Sequence, residues 1–131
     1  MKKIIDENSI RKKLVNFKKK GKLIGLCHGV FDLLHIGHVN HISEAKEKCD
    51  ILIISVTHDN FIYKGPGRPA FSHNIRMQAL SALEKVDYVF LSKYQTAQKS
   101  INLIKPDLYF KGPDYKKNLD DISGEITNEI K

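Results

Sequence analysis

The sequence predicts an α/β fold: a mostly parallel sheet with helices on both faces, in a Rossmann-like three-layer α/β/α arrangement. Short apolar segments alternate along the chain with longer segments of helical character. Strands and helices that alternate in this way form βαβ units, which build parallel sheets. The 131 residues, 41% hydrophobic and 28% charged, fit one ordinary globular domain.

The first half of the chain supplies two helices and two strands. Residues 7–20 are predicted to form a polar helix with a weak apolar stripe. The apolar run "LIGLC" at 23–27 fits a buried strand, and a glycine-containing loop leads from it into a helix over 37–48. The segment "DILIISV" at 50–56 is a buried strand, because it is apolar and rich in β-branched residues.

The second half repeats the alternation. The glycines and prolines of "KGPGRP" at 64–69 predict a loop, and Ser72 is placed to cap a helix that runs to about Glu84. Pro106 announces the last strand. Three elements complete the chain in the order strand, helix, strand: 86–91 ("VDYVFL"), 96–104 and 107–111 ("DLYFK").

Positive charge is concentrated near the N-terminus, which we interpret as a basic helical extension over 1–21 in front of a domain over 22–131. The formal net charge of +7 favours anionic partners, namely nucleic acid, an acidic membrane surface or phosphorylated small molecules. We expect most of the excess to lie on a solvated helix face. Its residues are Arg11, Lys12, Lys13, Lys18, Lys19, Lys20 and Lys22.

Several classes of protein are disfavoured. The longest apolar stretches are too short to span a bilayer, and no apolar segment follows the charged N-terminus as in a secretory signal. Cys27 and Cys49 form no CxxC pair, which favours a reduced, cytoplasmic protein.

The stretch "HGVFDLLHIGH" at 28–38 carries the strongest chemical signal. Gly37 stands near a predicted helix start, where backbone N–H groups and the helix dipole favour an anion. His35 and His38 are three residues apart and face one side of that helix, while Gly29 lets the backbone approach a ligand. This pattern fits a di- or triphosphate held at a helix N-terminus.

A zinc site is the competing interpretation of the histidines. His28, His35, His38 and His41 could supply ligands. No cysteine set lies nearby, and His41 lies one turn deeper in the helix. We therefore predict no metal ligand among these histidines.

The topology also predicts a common cleft. In a parallel sheet, ligands bind beyond the carboxyl ends of the strands, and we expect residues 28–38, 58–69 and 111–115 to meet there.

Three segments resemble a known enzyme group. "GVFDLLHIGH" is similar to the G-x-F-D-x-x-H-x-G-H signature of the cytidylyltransferase-like nucleotidyltransferase superfamily. "KGPGRPAFSHNIRMQALSALEKVDYVFL" and "IKPDLYFKGPDY" resemble the adenylyltransferase domain of bifunctional heptose-phosphate kinase/adenylyltransferases, and more distantly glycerol-3-phosphate cytidylyltransferases. The resemblance covers about residues 22–115 and makes 22–131 a nucleotidyltransferase domain.

The resemblance implies transfer of NMP from ATP or CTP to a sugar or polyol phosphate, with release of pyrophosphate. The acceptor phosphate attacks the α-phosphorus directly, with Mg²⁺ held mainly by the nucleotide phosphates. A homodimer is expected. The implied catalytic residues are His35, His38 and Lys64; the implied nucleotide contacts are Gly29, Val30, Phe31, Asp32, Gly37, Lys111, Gly112 and Asp114; Arg68 and Arg76 are implied for the acceptor phosphate.

Some of these roles have alternatives. Asp32 either braces the loop or approaches magnesium, and Arg76 either faces phosphate or contacts a second subunit. Asp87 and Tyr88 are interpreted as structural, and His28 as a loop residue without a task.

The resemblance is incomplete at the C-terminal end. Relatives continue into a further strand and a motif like "I-S-S-T-x-I", which "ISGEI" at 122–126 does not match, and Pro113 stands where a second glycine is usual. We expect a truncated chain, with a catalytically impaired nucleotide-binding module as the alternative. A nucleic-acid binder is disfavoured, because no aromatic residues are interleaved with the basic ones.

Overall fold

The computed structural model describes residues 3–61, 71–93 and 97–111. Helices and strands alternate along these ranges, as the sequence predicts. The helices are α1 (Glu7–Lys19), α2 (Ile36–Glu47), α3 (His73–Ser81) and α4 (Ala97–Ile104). The strands are β1 (Ile24–Gly29), β2 (Ile51–Thr57), β3 (Tyr88–Ser92) and β4 (Leu108–Lys111), and a short 3-10 helix, Asp59–Phe61, follows β2.

The strands form one parallel sheet in the order β3-β2-β1-β4, which confirms the predicted parallel arrangement. The central strand β1 pairs with β2 on one side and with β4 on the other. In this register His28 lies beside Ser55 and beside Lys111, near the carboxyl ends of their strands. The loop that follows β1 therefore starts at the carboxyl ends of the strands, where ligands bind in parallel sheets.

Two apolar clusters cover the two faces of the sheet and make the fold three-layered. Alternate residues of each strand point to opposite faces, so neighbouring positions enter different clusters. One cluster joins α2 and α3 to the sheet and includes Ile42, Met77, Leu80, Ile54 and Val56. The other joins α1 and α4 to the opposite face and includes Ile10, Leu14, Ile101, Ile53 and Leu26.

Helix α1 is an integral layer of the domain, which corrects the interpretation of 1–21 as an extension. Ile10 and Leu14 are buried in the same cluster as Ile101 of α4. Ahead of α1, residues 3–5 lie beside β3, where the Val89 amide donates to the carbonyl of residue 3 at 2.9 Å. The basic residues themselves are exposed, as predicted for a solvated helix face: Arg11, Lys12, Lys13, Lys18, Lys19, Lys20 and Lys22.

An aspartate directly before each of β2, β3 and β4 anchors that strand to a neighbour. Asp50, Asp87 and Asp107 immediately precede, or lead into, β2, β3 and β4. Each carboxylate accepts a hydrogen bond of 2.7–2.8 Å from a backbone amide of the neighbouring strand segment, and each aspartate amide donates to a carbonyl of the same residue. The partner residues are Leu23, Leu52 and Ile24, respectively. This contact supports the structural role predicted for Asp87.

Helix α3 begins at its predicted cap and ends earlier than predicted. The hydroxyl of Ser72 accepts a hydrogen bond from the Ile75 amide at 3.4 Å. The helix ends at Ser81 rather than near Glu84, because the next amides bond to carbonyls three residues back, as in a tight turn.

Candidate active site

The loop between β1 and α2 turns sharply around a buried aromatic ring. Phe31 has a φ of +53°, a left-handed conformation that is unfavourable for a non-glycine residue, and it is only 7% exposed. A Cβ atom on Gly29 would lie 3.0 Å from the Phe31 ring. Glycine at position 29 therefore leaves the space that the Phe31 ring needs.

His35 and His38 close the N-terminus of α2 through a reciprocal capping box. His35 is the N-cap residue, and its Nδ1 accepts a hydrogen bond from the Gly37 amide at 3.0 Å. The His35 amide in turn donates to Nδ1 of His38 at 3.2 Å. The two rings lie with centroids 4.2 Å apart, and the His38 ring also meets Phe31 edge to face at 5.8 Å. The predicted pair is therefore brought together at the predicted helix start.

This cap determines which nitrogen of each histidine carries the proton. Because both Nδ1 atoms accept backbone hydrogen bonds, the neutral rings hold their hydrogen on Nε2. Each Nε2–H is a hydrogen-bond donor of the kind that binds phosphate oxygens. The positive end of the helix dipole lies at the same place.

Arg76 is buried and connects the β1–α2 loop to Phe71 and Asp59. The residue is 2% exposed. Its guanidinium donates to the Val30 carbonyl at 2.7 Å, to the Phe71 carbonyl at 3.1 Å and to the Asp59 carboxylate at 2.5 Å. These contacts fix the loop from inside the protein. They speak against the predicted contact of Arg76 with an acceptor phosphate, because its side chain is enclosed by protein groups.

Asp32 also holds the loop, in agreement with the bracing alternative for this residue. It is 8% exposed, and its carboxylate accepts a hydrogen bond from the Phe71 amide at 2.9 Å. Phe71 is thus bound at its amide by Asp32 and at its carbonyl by Arg76. Phe71, just before α3, is therefore tied to the β1–α2 loop directly through Asp32 and indirectly through Arg76, which bonds to the Val30 carbonyl.

His28 lies in β1 rather than in the loop, which corrects its predicted placement. Its Nδ1 is 2.5 Å from the Ser55 hydroxyl, and its Nε2 is 3.5 Å from the Thr57 hydroxyl. Burial lowers the pKa of His28 from 6.5 to about 4, so the ring is neutral at pH 7. Both hydroxyls interrupt the apolar run of β2 at its carboxyl end, a signal that would have found this group from the sequence.

A second histidine pair was missed by the sequence analysis. His58 and His73 follow β2 and begin α3, with ring centroids 4.3 Å apart. Asp59 lies 3.2 Å from Nδ1 of His73 and also binds Arg76. The two residues are far apart in the sequence, so residue spacing does not show that their rings meet.

The other predicted site residues are divided between described and undescribed segments. Lys111 ends β4, beside His28 in the sheet register. Lys64, Arg68, Gly112 and Asp114 lie outside the described residues. Across 3–61, 71–93 and 97–111, no group of three or more His, Cys, Asp or Glu side chains is arranged to hold a metal ion. In the same ranges, every helix is too short or too polar to cross a membrane.

The comparisons with known proteins show the family of this chain. The family model described as cytidylyltransferase-like matches residues 26–130. The chain belongs to the cytidylyltransferase-like family. This membership supports nucleotidyl transfer in general, and the matched range includes both capping histidines and the loop before them.

Individual relatives are similar over most of this family member. It is 38% identical over 115 residues to the bifunctional protein HldE of Nitratiruptor sp. and 36% identical over 124 residues to that of Aliarcobacter butzleri, covering 86% and 93% of this chain. The chain spans about a quarter of the length of these curated relatives, 25% and 26%. A crystal structure of a lipopolysaccharide core biosynthesis protein from Thermoplasma volcanium is 30% identical with a TM-score of 0.65, covering 82% of this chain and 88% of its own.

Proposed function

We propose that this chain carries the nucleotidyltransferase site of an enzyme that transfers NMP from ATP or CTP to a sugar or polyol phosphate. The observation that carries the proposal is the capping box of His35 and His38 at the start of α2. It places two imidazole rings with hydrogen on Nε2 at a positive helix end, a fitting environment for a triphosphate. The structural neighbour is a lipopolysaccharide core biosynthesis protein, which favours a sugar phosphate as acceptor.

The proposed reaction is a direct displacement. An oxygen of the acceptor phosphate attacks the α-phosphorus of the nucleotide, and the bond from that phosphorus to the pyrophosphate oxygen breaks. The bonding electrons leave with pyrophosphate, so no covalent enzyme intermediate forms. The protein positions the two substrates and stabilises the developing negative charge. In this scheme His35 and His38 donate to the triphosphate oxygens.

The remaining residues take supporting roles in the proposal. Amides of the loop at Val30 and Phe31 face the nucleotide, and Lys111 approaches it from β4. Lys64 and Arg68 contact phosphates, and Gly112 and Asp114 contact the nucleotide. Arg76 supports the loop instead of binding the acceptor phosphate, because its guanidinium bonds to protein groups: the Val30 and Phe71 carbonyls and the Asp59 carboxylate.

Magnesium is proposed to bind chiefly to the nucleotide phosphates, where it would neutralise charge. Two carboxylates near the loop already bond to protein groups: Asp32 to the Phe71 amide, and Asp59 to Arg76. We therefore assign the ion to the nucleotide phosphates rather than to these two carboxylates. No step of the proposed reaction depends on a protein ligand to the ion.

A pyrophosphate-release assay tests this function. ATP and CTP are each combined with a panel of sugar phosphates and polyol phosphates, and the pair with the highest kcat/KM identifies base and acceptor. His38→Ala removes one phosphate donor and is expected to lower kcat by about 100- to 1000-fold. His41→Ala, one turn further along α2, is the matched control and should retain activity.

Two results would contradict the proposal. Nucleotide binding without pyrophosphate release from any pair would indicate a binding module instead of an enzyme. Equal activity of wild type and His38→Ala, with unchanged circular dichroism, would remove the histidine pair from the site.

A further inference from the structure

A network of hydrogen bonds connects Ser55 of β2, through His28 and Thr57, to the Gly29 carbonyl at the start of the β1–α2 loop. Each bond in it has a defined donor and acceptor. The Thr57 hydroxyl lies 3.2 Å from the Gly29 carbonyl and donates to it, because a carbonyl only accepts. Because this bond uses the Thr57 hydrogen, the Thr57 oxygen is the acceptor in its contact with His28, and Nε2–H of His28 is the donor. With its hydrogen on Nε2, the ring accepts at Nδ1 from the Ser55 hydroxyl.

The two hydroxyl groups of this hydrogen-bond network are sheltered from water, so the direction of their bonds is well defined. Ser55 is fully buried and Thr57 is 5% exposed. The lowered pKa of His28 keeps the ring neutral, with one donor and one acceptor nitrogen. A buried network in which each member is satisfied fixes the geometry of its parts.

The last hydrogen bond of this network, from Thr57 to the Gly29 carbonyl, fixes one peptide group of the loop. In a planar trans peptide the carbonyl and the following N–H point in opposite directions. Holding the Gly29 carbonyl on Thr57 therefore directs the Val30 N–H away from β2. The next carbonyl, that of Val30, is held by Arg76 at 2.7 Å, which directs the Phe31 N–H in the same manner.

We propose that His28 is a positioning residue, which acts through Thr57 to orient the Val30 amide toward the nucleotide phosphates. The inference rests on the proposed function for its ligand, and on the hydrogen bonds of the nucleotide-free protein for its geometry. His28 itself touches no substrate in this account. It keeps one donor of the loop in place before the nucleotide arrives.

The test compares variants that interrupt this hydrogen-bond network with one that preserves it. Thr57→Val removes the hydrogen bond to the Gly29 carbonyl, and His28→Leu removes the ring donor that orients the Thr57 hydroxyl. In His28→Gln the amide nitrogen is placed to donate like Nε2. Ser100→Ala is the control, because it removes another buried hydroxyl, which donates to Ser92 at 3.3 Å, on the α4 side of the sheet. Thr57→Val keeps the test decisive if His28→Leu fails to fold.

Two measurements are made on each protein. The first is the ¹H–¹⁵N resonance of the Val30 amide, with its hydrogen-exchange rate, in the absence of nucleotide. The second is the Kd for ATP and CTP by calorimetry. Thr57→Val and His28→Leu should shift the Val30 resonance and weaken nucleotide binding by about 10-fold, the effect of one misplaced hydrogen-bond donor. His28→Gln should recover part of the affinity, and Ser100→Ala should match wild type.

The outcomes separate the inference from the function on which it rests. An unmoved Val30 resonance in both Thr57→Val and His28→Leu overturns the positioning role, even if nucleotides bind. A wild-type protein that binds neither nucleotide contradicts the proposed function, and with it the phosphate as the target of the amide. A shifted Val30 resonance with unchanged Kd values also overturns the inference, because the orientation would then serve no binding.

Discussion

Replacing Arg76 with methionine should destabilise the whole domain, because this one side chain joins three separated segments. Methionine approximates the length of the arginine stem and removes every donor. The Val30 and Phe71 carbonyls would lose their bonds at 2.7 and 3.1 Å, and the Asp59 carboxylate would lose its cationic partner.

The size of the effect follows from the burial of the guanidinium. Leaving a buried polar group unsatisfied costs about 1–3 kcal/mol, and breaking a buried ion pair costs about 3–5 kcal/mol. The Asp59 side chain is 30% exposed, so water offsets part of the loss. We expect the free energy of unfolding to fall by about 3–5 kcal/mol, a large fraction of the stability of a small domain.

Urea unfolding followed by circular dichroism measures this change. Arg11→Met is the matched control, since Arg11 lies on the exposed side of α1 and its replacement should change stability by less than about 0.5 kcal/mol. Arg76→Lys should fall between the two, because one ammonium does not reproduce a planar guanidinium with three acceptors. A loss below about 1 kcal/mol for Arg76→Met would refute the bracing role.

Three other predictions concern the sheet. Gly25→Ala should destabilise by about 1–3 kcal/mol in thermal unfolding, because the new Cβ would lie 2.7 Å from Cys49 Sγ and 2.8 Å from the Phe110 ring; an unchanged Tm would contradict the close packing. Asp107→Ala should cost about 1–3 kcal/mol by leaving a strand amide unpaired, and Asp107→Asn, whose amide oxygen still accepts, should cost less. Since burial lowers the pKa of His28 from 6.5 to about 4, the unfolded chain takes up this proton first as the pH falls. The contribution of His28 to stability should therefore be fully present above pH 6.5 and decline by up to about 3 kcal/mol toward pH 4, and His28→Leu should remove that part of the pH dependence.

The sequence was sufficient to predict the types of the elements and the place of the histidine pair. Buried strands such as β2 carry long β-branched runs, and a glycine beside two histidines marks the start of α2. Both signals are local, so neighbouring residues alone reveal them. The parallel sheet followed from the alternation of elements.

Features that depend on distant contacts were less accessible. The burial of Ile10 against α4 made α1 part of the core, although its polar composition suggested an extension. Arg76 had the residue type of a phosphate ligand, and only the positions of Val30 and Asp59 reveal that its donors are used inside the protein. Long-range partners of this kind are set by topology and not by spacing along the chain.

The central claim, that the loop and the capped start of α2 bind a nucleoside triphosphate, is tested most directly by a ¹H–¹⁵N NMR titration. Increasing ATP or CTP should shift the amide resonances of Val30 and Gly37 in a saturable way, while Gly21, after the end of α1, stays unmoved. NMP should shift them less, because it lacks the β- and γ-phosphates. Resonances of Val30 and Gly37 that do not move at saturating ATP and CTP would contradict the account.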